Sequence, residues 1–316
     1  MGSRCEVRTM VIALALVIVV GGCATGPSKP ATQTPSASGP GVGTPEQMTL
    51  DVDIGGRTLH LFCMGSSAAG TPTVVAEAGL GSDSRTWNDT IRGVAAKARM
   101  CVYDRAGLRS SPPAPQLART LQDQVDDLAL LLTAAPISGP YVLVGHSSGS
   151  WIVSLYAAQH PANVVGVVFA EPRGPHVSRD WLAALPPAAP GEPEAVRLNR
   201  EELTVFETDP SLNDEHQDLA ASARQLGAVI DPPAPLFGER PLIVMSAART
   251  PEMWSDLPAD LRATFDEIWF DGQKALLAES TESSFVTIAD SDHDLPGWQP
   301  EAVVAAIFEV MDRAAS

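Results

Sequence analysis

Short apolar runs along this chain predict eight strands, in two patterns. Residues 50–54 and 57–63 alternate between apolar and polar positions around Gly55-Gly56, a hairpin signal. Residues 73–76, 100–103, 141–144 and 164–169 are nearly continuous apolar runs, as strands buried on both faces require. Residues 242–245 and 284–288 supply the last two strands. Between them lie helical patterns. One runs from about Ser84 to Ala98. A second is capped by Thr120 and carries Leu121, Val125, Leu128 and Leu132 at spacings of 4, 3 and 4. A third follows the 141–144 strand and includes Trp151, Ile152, Leu155 and Tyr156. The last, from about Pro300 to Ala314, buries Val303, Val304, Ile307 and Val310. A hairpin followed by strands that alternate with helices predicts a mostly parallel sheet flanked by helices.

One interval breaks this rhythm. Residues 172–241 contain no strand pattern but many Pro, charged, Leu and Ala residues, with helical stretches near 194–207 and 215–228. So long a connection implies structure of its own. We read residues 173–240 as a helical cap over the carboxyl edge of the sheet, where ligands bind in open α/β folds.

The amino-terminal segment has a different character. Arg4 and Arg8 precede an apolar run over residues 10–20, followed by Gly21-Gly22-Cys23. A membrane-spanning helix takes about 20 apolar residues, so this shorter run reads as the core of a secretory signal. Val20-Gly21-Gly22-Cys23 resembles a bacterial lipobox, which implies a lipoprotein signal peptide over residues 1–22, lipidation of Cys23 and an extracytoplasmic, membrane-anchored protein. Residues 23–47, rich in Pro, Thr, Ser and Gly, read as a flexible tether. Residues 48–316 then form the folded domain, long enough for one α/β domain with an insertion.

Composition narrows the partners. The net charge is −17 at pH 7 and no basic cluster occurs, so nucleic acid is not an expected partner. Of four cysteines, Cys5 leaves with the signal and Cys23 is the lipid site. Cys63 and Cys101 lack metal-like spacing, and no metal is expected.

Gly145-His146-Ser147-Ser148-Gly149 fits G-x-S-x-G between a short apolar strand and an apolar helical pattern, the context of a nucleophile elbow. A sharp strand-to-helix turn would present the Ser147 hydroxyl at the helix N-terminus. With Tyr103-Asp104-Arg105-Ala106-Gly107 and the run from Pro140 to Ser147, the chain resembles the α/β-hydrolase family. In particular it resembles the branch with a Y-D-R-x-G loop and P-Y-V-L-V-G-H-S. The likeness covers residues 48–172 and 240–313 and leaves out the cap. It implies an α/β-hydrolase fold with a mostly parallel eight-stranded sheet. It also implies that Cys63 and Cys101 are cross-strand neighbours joined by a disulfide.

A serine hydroxyl becomes nucleophilic when a base takes its proton and a third group orients that base. The family order is Ser, acid, His. Of six histidines only His293 follows the last predicted strand, in the loop before the last helix, where the resemblance places the base. The acid is open. The usual loop, after residues 242–245, has no carboxylate close to the strand end; Glu252 and Asp256 come later. The resemblance also allows the acid directly after the strand that follows the elbow helix, as in some members. That position here is Glu171, at the end of an apolar strand where a carboxylate is costly without a partner and His293 would pair it. We rank Glu171 first, then Asp256, then Glu252. Asp290, Asp292 and Asp294 stand too close to His293 in the chain to reach its far nitrogen easily.

The resemblance implies an oxyanion hole made by the backbone N–H groups of Ser148 and Leu80, although Ala78 stands where many members have His. Arg105 reads as structural, tying neighbouring loops together. Together these residues imply a serine hydrolase that cleaves small-molecule or lipid carboxylic esters through an acyl-enzyme, without a cofactor. Two alternatives stay open: an acyltransferase or amidase with the same triad, and an inactive hydrolase-fold binding protein of the envelope. Trp181 and Leu182 either line the entrance or pack within the cap.

Overall fold

The computed structural model describes residues 45–66, 68–230, 235–249 and 254–316. The expected signal peptide, Cys23, the tether up to residue 44 and Glu252 lie outside the described residues.

The chain runs β1 (Gln47–Asp53), β2 (Thr58–Met64), β3 (Thr73–Glu77), α1 (Asn88–Val94), β4 (Met100–Asp104), α2 (Leu121–Ala134), β5 (Tyr141–Ser147) and α3 (Gly149–Gln159). It continues through β6 (Val164–Pro172), α4 (Val177–Ala184), α5 (Glu194–Thr208), α6 (Leu219–Ile230), β7 (Leu242–Ala247) and α7 (Ala259–Ala275). It ends with β8 (Ser283–Ile288), α8 (Leu295–Trp298) and α9 (Pro300–Ala314). Eight strands form one sheet in the order β1-β2-β4-β3-β5-β6-β7-β8. β2 is antiparallel to both its neighbours, and all other pairings from β4 to β8 are parallel.

Apolar side chains on both faces explain the continuous runs. In β5, Tyr141 and Leu143 join one core, under α2, α3 and α6. Val142 and Val144 join the other, under α1 and α9. Successive strand residues point to opposite faces, so a strand covered on both sides is apolar at every position. α2 starts as the sequence reads: the Thr120 hydroxyl accepts the Asp123 N–H, and the Asp123 carboxylate accepts the Thr120 N–H. Such a reciprocal cap contributes about 1 kcal/mol. In the register of β2 and β4, Cys63 faces Cys101, and a disulfide joins them.

Two boundaries and one burial differ from the sequence reading. The helix expected over 84–98 is a tight turn, Ser84–Trp87, capped by Asp83, followed by the short α1. Val304 is only half-buried, because α9 lays it against Gly93 of α1 while Val303, Ile307 and Val310 face the sheet. α6 begins at Leu219 rather than near residue 215. The residues before it form an isolated bridge to the segment before α2: Arg119 N–H donates to His216 O and Asp218 N–H donates to Arg119 O. Residues 173–240 hold α4, α5 and α6, with no strand among the described residues. Trp181 of α4 is fully buried, 5.6 Å from the ring of Phe265 and 5.8 Å from that of Trp269, both on α7. Trp181 is therefore a core residue of the cap. α7, which the sequence left as an unassigned excursion, completes that core.

Candidate active site

Ser147 ends β5 and α3 starts two residues later. Its φ is 50°, in the left-handed region, which costs a non-glycine residue roughly 1–2 kcal/mol. The turn holds because neighbouring backbones press on it. A Cβ on Gly149 would lie 2.5 Å from the Ala78 carbonyl oxygen, so only glycine fits where α3 crosses the loop after β3. A Cβ on Gly79 would meet His146 Nδ1 and Ser147 Cβ, each at 3.1 Å. The loop after β3 therefore runs directly alongside the serine.

His293 lies in the loop between β8 and α8, as expected from its place in the chain. Its carbonyl oxygen accepts a 2.7 Å hydrogen bond from His146 Nε2, which fixes the His293 backbone to the residue before Ser147. That bond puts the His146 proton on Nε2. Burial, and then the neighbouring His293, push His146 down to about 3, so this clamp stays neutral. The His293 ring stands 5.1 Å from the His146 ring and edge-on to Trp269 at 5.4 Å. It is about one-third exposed.

Glu171 sits near the end of β6, fully buried, at a φ of 52°. The β5–β6 register shifts here, pairing Ser147 with Pro172. The Glu171 carboxyl accepts the Ala247 N–H at 2.6 Å on one oxygen and the Trp269 indole N–H at 2.7 Å on the other. The oxygen bonded to Trp269 lies 3.9 Å from His293 Nδ1. That is within ion-pair reach and about 1 Å longer than a hydrogen bond. Catalytic hydrogen bonds commonly tighten only when substrate binds.

Asp256 lies elsewhere. It is exposed and accepts a 3.2 Å bond from the Asn199 side chain of α5. The structure thus brings Glu171, and not Asp256, to His293. The geometry also adds three groups that the sequence reading did not pick out: His146, Trp269 and the Ala247 N–H. Trp269 belongs to a helical pattern with Phe265, but nothing in the sequence says where an indole points.

Of the two expected oxyanion donors, Ser148 directly follows Ser147 and Leu80 follows Gly79, the residue that lies beside Ser147. Ser148 caps α3 at its N-terminus, where backbone N–H groups point outward. Leu80 follows Gly79 in the loop after β3. Arg105 grips this loop from beneath: Nη1 donates to Ala78 O at 2.7 Å, and Nη2 to Gly79 O at 2.6 Å. Arg105 therefore does tie loops together, and with more partners than the sequence suggests.

Comparison with known proteins agrees with the fold. A model of the alpha/beta hydrolase family matches residues 74–306. The protein YqjL of Bacillus subtilis, described as uncharacterized, is 26% identical over 240 residues, covering 75% of this chain and 83% of its own. "Putative carbamate hydrolase RutD" of Yersinia enterocolitica is 34% identical over 110 residues, 35% of this chain and 39% of its own. Among solved structures, a thermophilic esterase from Thermogutta terrifontis superposes with a TM-score of 0.55 at 19% identity, over 86% of this chain and 100% of the other.

Proposed function

We propose, since this chain belongs to the alpha/beta hydrolase family, that it is a serine hydrolase acting on carboxylic esters. The observation that carries this reading is the convergence of three elements. A serine at a strained elbow lies beside the loop after β3, a histidine is tied to the residue before it, and a buried carboxyl lies 3.9 Å from that histidine. In this reading Ser147 attacks the ester carbonyl while His293 takes its proton. Glu171 holds the imidazole in the right tautomer and stabilises its cation. The N–H groups of Leu80 and Ser148 carry the charge of the tetrahedral intermediate. His293 returns its proton to the departing alcohol. Water, activated by the same histidine, then releases the acid and frees the serine.

The test is a fluorophosphonate probe followed by peptide mapping. A single adduct on Ser147, absent from Ser147→Ala, is the expected result; a native protein that takes no label would defeat the proposal. The partial likeness to carbamate hydrolases favours including amide and carbamate substrates beside esters in the first screen.

The same reading extends to location. The lipobox-like sequence before Cys23 supports an extracytoplasmic lipoprotein, and the Cys63–Cys101 disulfide suits an oxidising compartment. Cys23→Ala should then move the protein from the membrane to the soluble fraction of producing cells. Unchanged fractionation would remove the anchor from the proposal.

A further inference from the structure

Beneath the loop after β3 lies a buried ionic cluster that the triad does not use. Arg105 is 4% exposed. Besides its two bonds to Ala78 O and Gly79 O, it forms a two-pronged pair with Glu215: Nε to Oε2 at 2.6 Å and Nη2 to Oε1 at 2.8 Å. Glu215 in turn accepts the Gly81 N–H at 2.8 Å and the Gln124 amide at 3.0 Å. On its other side Arg105 faces Glu77, 3.4 Å away, and Tyr103 OH donates to Glu77 at 2.5 Å. Carbonyls 78 and 79 and the N–H of residue 81 are thus all held from one side. Glu215 stands in the segment just before α6, within the interval between β6 and β7, so one of the holding groups comes from the cap.

Peptide planarity gives this clamp a direction. In a trans peptide the C=O and the following N–H point oppositely. With Gly79 O drawn onto Arg105, the Leu80 N–H must point to the other side of the loop. A bidentate guanidinium–carboxylate pair fixes orientation as well as distance. A buried one is rigid because breaking it would leave a charge without a partner.

We propose that Arg105 and Glu215 are positioning residues for the oxyanion hole, and that through Glu215 the seating of the cap sets whether the Leu80 N–H is presented. This inference rests on the serine-hydrolase reading above. Neither residue touches substrate. Both act by fixing the Gly79–Leu80 peptide, so they should matter most where charge develops on the substrate oxygen.

The experiment compares the full chain with Arg105→Lys and Glu215→Gln. Three quantities are read: kcat and KM on a short-chain p-nitrophenyl ester, the inhibition constant of an alkyl trifluoromethyl ketone, and the thermal midpoint. The ketone forms a tetrahedral oxyanion on the serine and reports directly on the hole. Lysine keeps the charge but cannot span two carbonyls and two carboxylate oxygens. Loss of a whole oxyanion donor costs about 10²–10³ in kcat, and a displaced one should cost roughly 10–10². The expected result is that fall in kcat, a matching rise in the ketone constant and a KM close to that of the native chain. If only the thermal midpoint falls, with kcat per labelled site and the ketone constant unchanged, the pair is merely structural and the proposal is overturned. Should Arg105→Lys not fold, the near-isosteric Glu215→Gln decides alone by the same two readouts. Failure of the underlying reading looks different, since the native chain itself would then show neither turnover nor ketone binding.

Discussion

Ser147→Ala is expected to lower kcat on a short-chain p-nitrophenyl ester by about 10⁴-fold or more, because no other group can carry the acyl intermediate. The loss should come without unfolding, since the change removes one hydroxyl oxygen and leaves the backbone turn as it is. Ser147→Gly should be equally inactive yet more stable, by up to about 1 kcal/mol, because glycine accepts a φ of 50° without the Cβ penalty. Steady-state rates and thermal midpoints of the three proteins check both statements. Substantial turnover in Ser147→Ala, free of contaminating esterase, would contradict the mechanism. His146, held down to about 3 by burial and then by the neighbouring His293, stays neutral around neutral pH and should add no step of its own to the native pH–rate profile there.

Glu171→Gln should cost about 10²–10⁴ in kcat, by analogy with the loss of a triad acid's charge and tautomer control. It should also cost stability. Both carboxyl oxygens accept from fixed N–H donors, Ala247 and Trp269. An amide at that place turns an NH₂ group toward one of them, leaving a buried donor unsatisfied, a loss of about 1–3 kcal/mol. Asp256→Asn should change neither quantity, since that side chain is exposed beside Asn199. Equal rates in native and Glu171→Gln protein would return the acid to the open question that the sequence left.

Much of this architecture was legible in the sequence because burial on both faces writes strands as continuous apolar runs. β5 and its elbow are the clearest case, since G-x-S-x-G stands between two unmistakable patterns. His293 is legible from the family order Ser, acid, His together with its place as the one histidine after the last predicted strand. Glu171 is legible from the family's alternative place for the acid and from the cost of burying a carboxyl, but its surroundings come from residues 76 and 98 positions further on, Ala247 and Trp269. Contacts at that separation leave no periodic trace. α7 carries a regular helical pattern, Leu261, Phe265, Ile268 and Trp269, but the pattern does not say that its apolar face closes the core of the cap. The start of α6 was misplaced for a related reason: Glu215 fits a helix by local preference, but Arg105 draws its side chain inward. Arg105 itself reads from the sequence only as a tie between loops, because the direction of its guanidinium depends on partners from two distant segments, residues 77–79 and Glu215.

The placement of Glu171 on β6, one strand earlier than the usual loop, has a consequence for how this protein can diversify. If the acid resides there, the segment between β7 and β8 carries no reacting group; it contributes Trp254 and α7 to the aromatic interior of the cap, and Trp269 alone reaches Glu171. Substitutions in that segment that keep Trp269 can then reshape the cap while leaving the proton relay in place. Homologues built this way should vary more between β7 and α7 than at Trp269, and exchanging the stretch before α7 between them should change selectivity rather than abolish turnover.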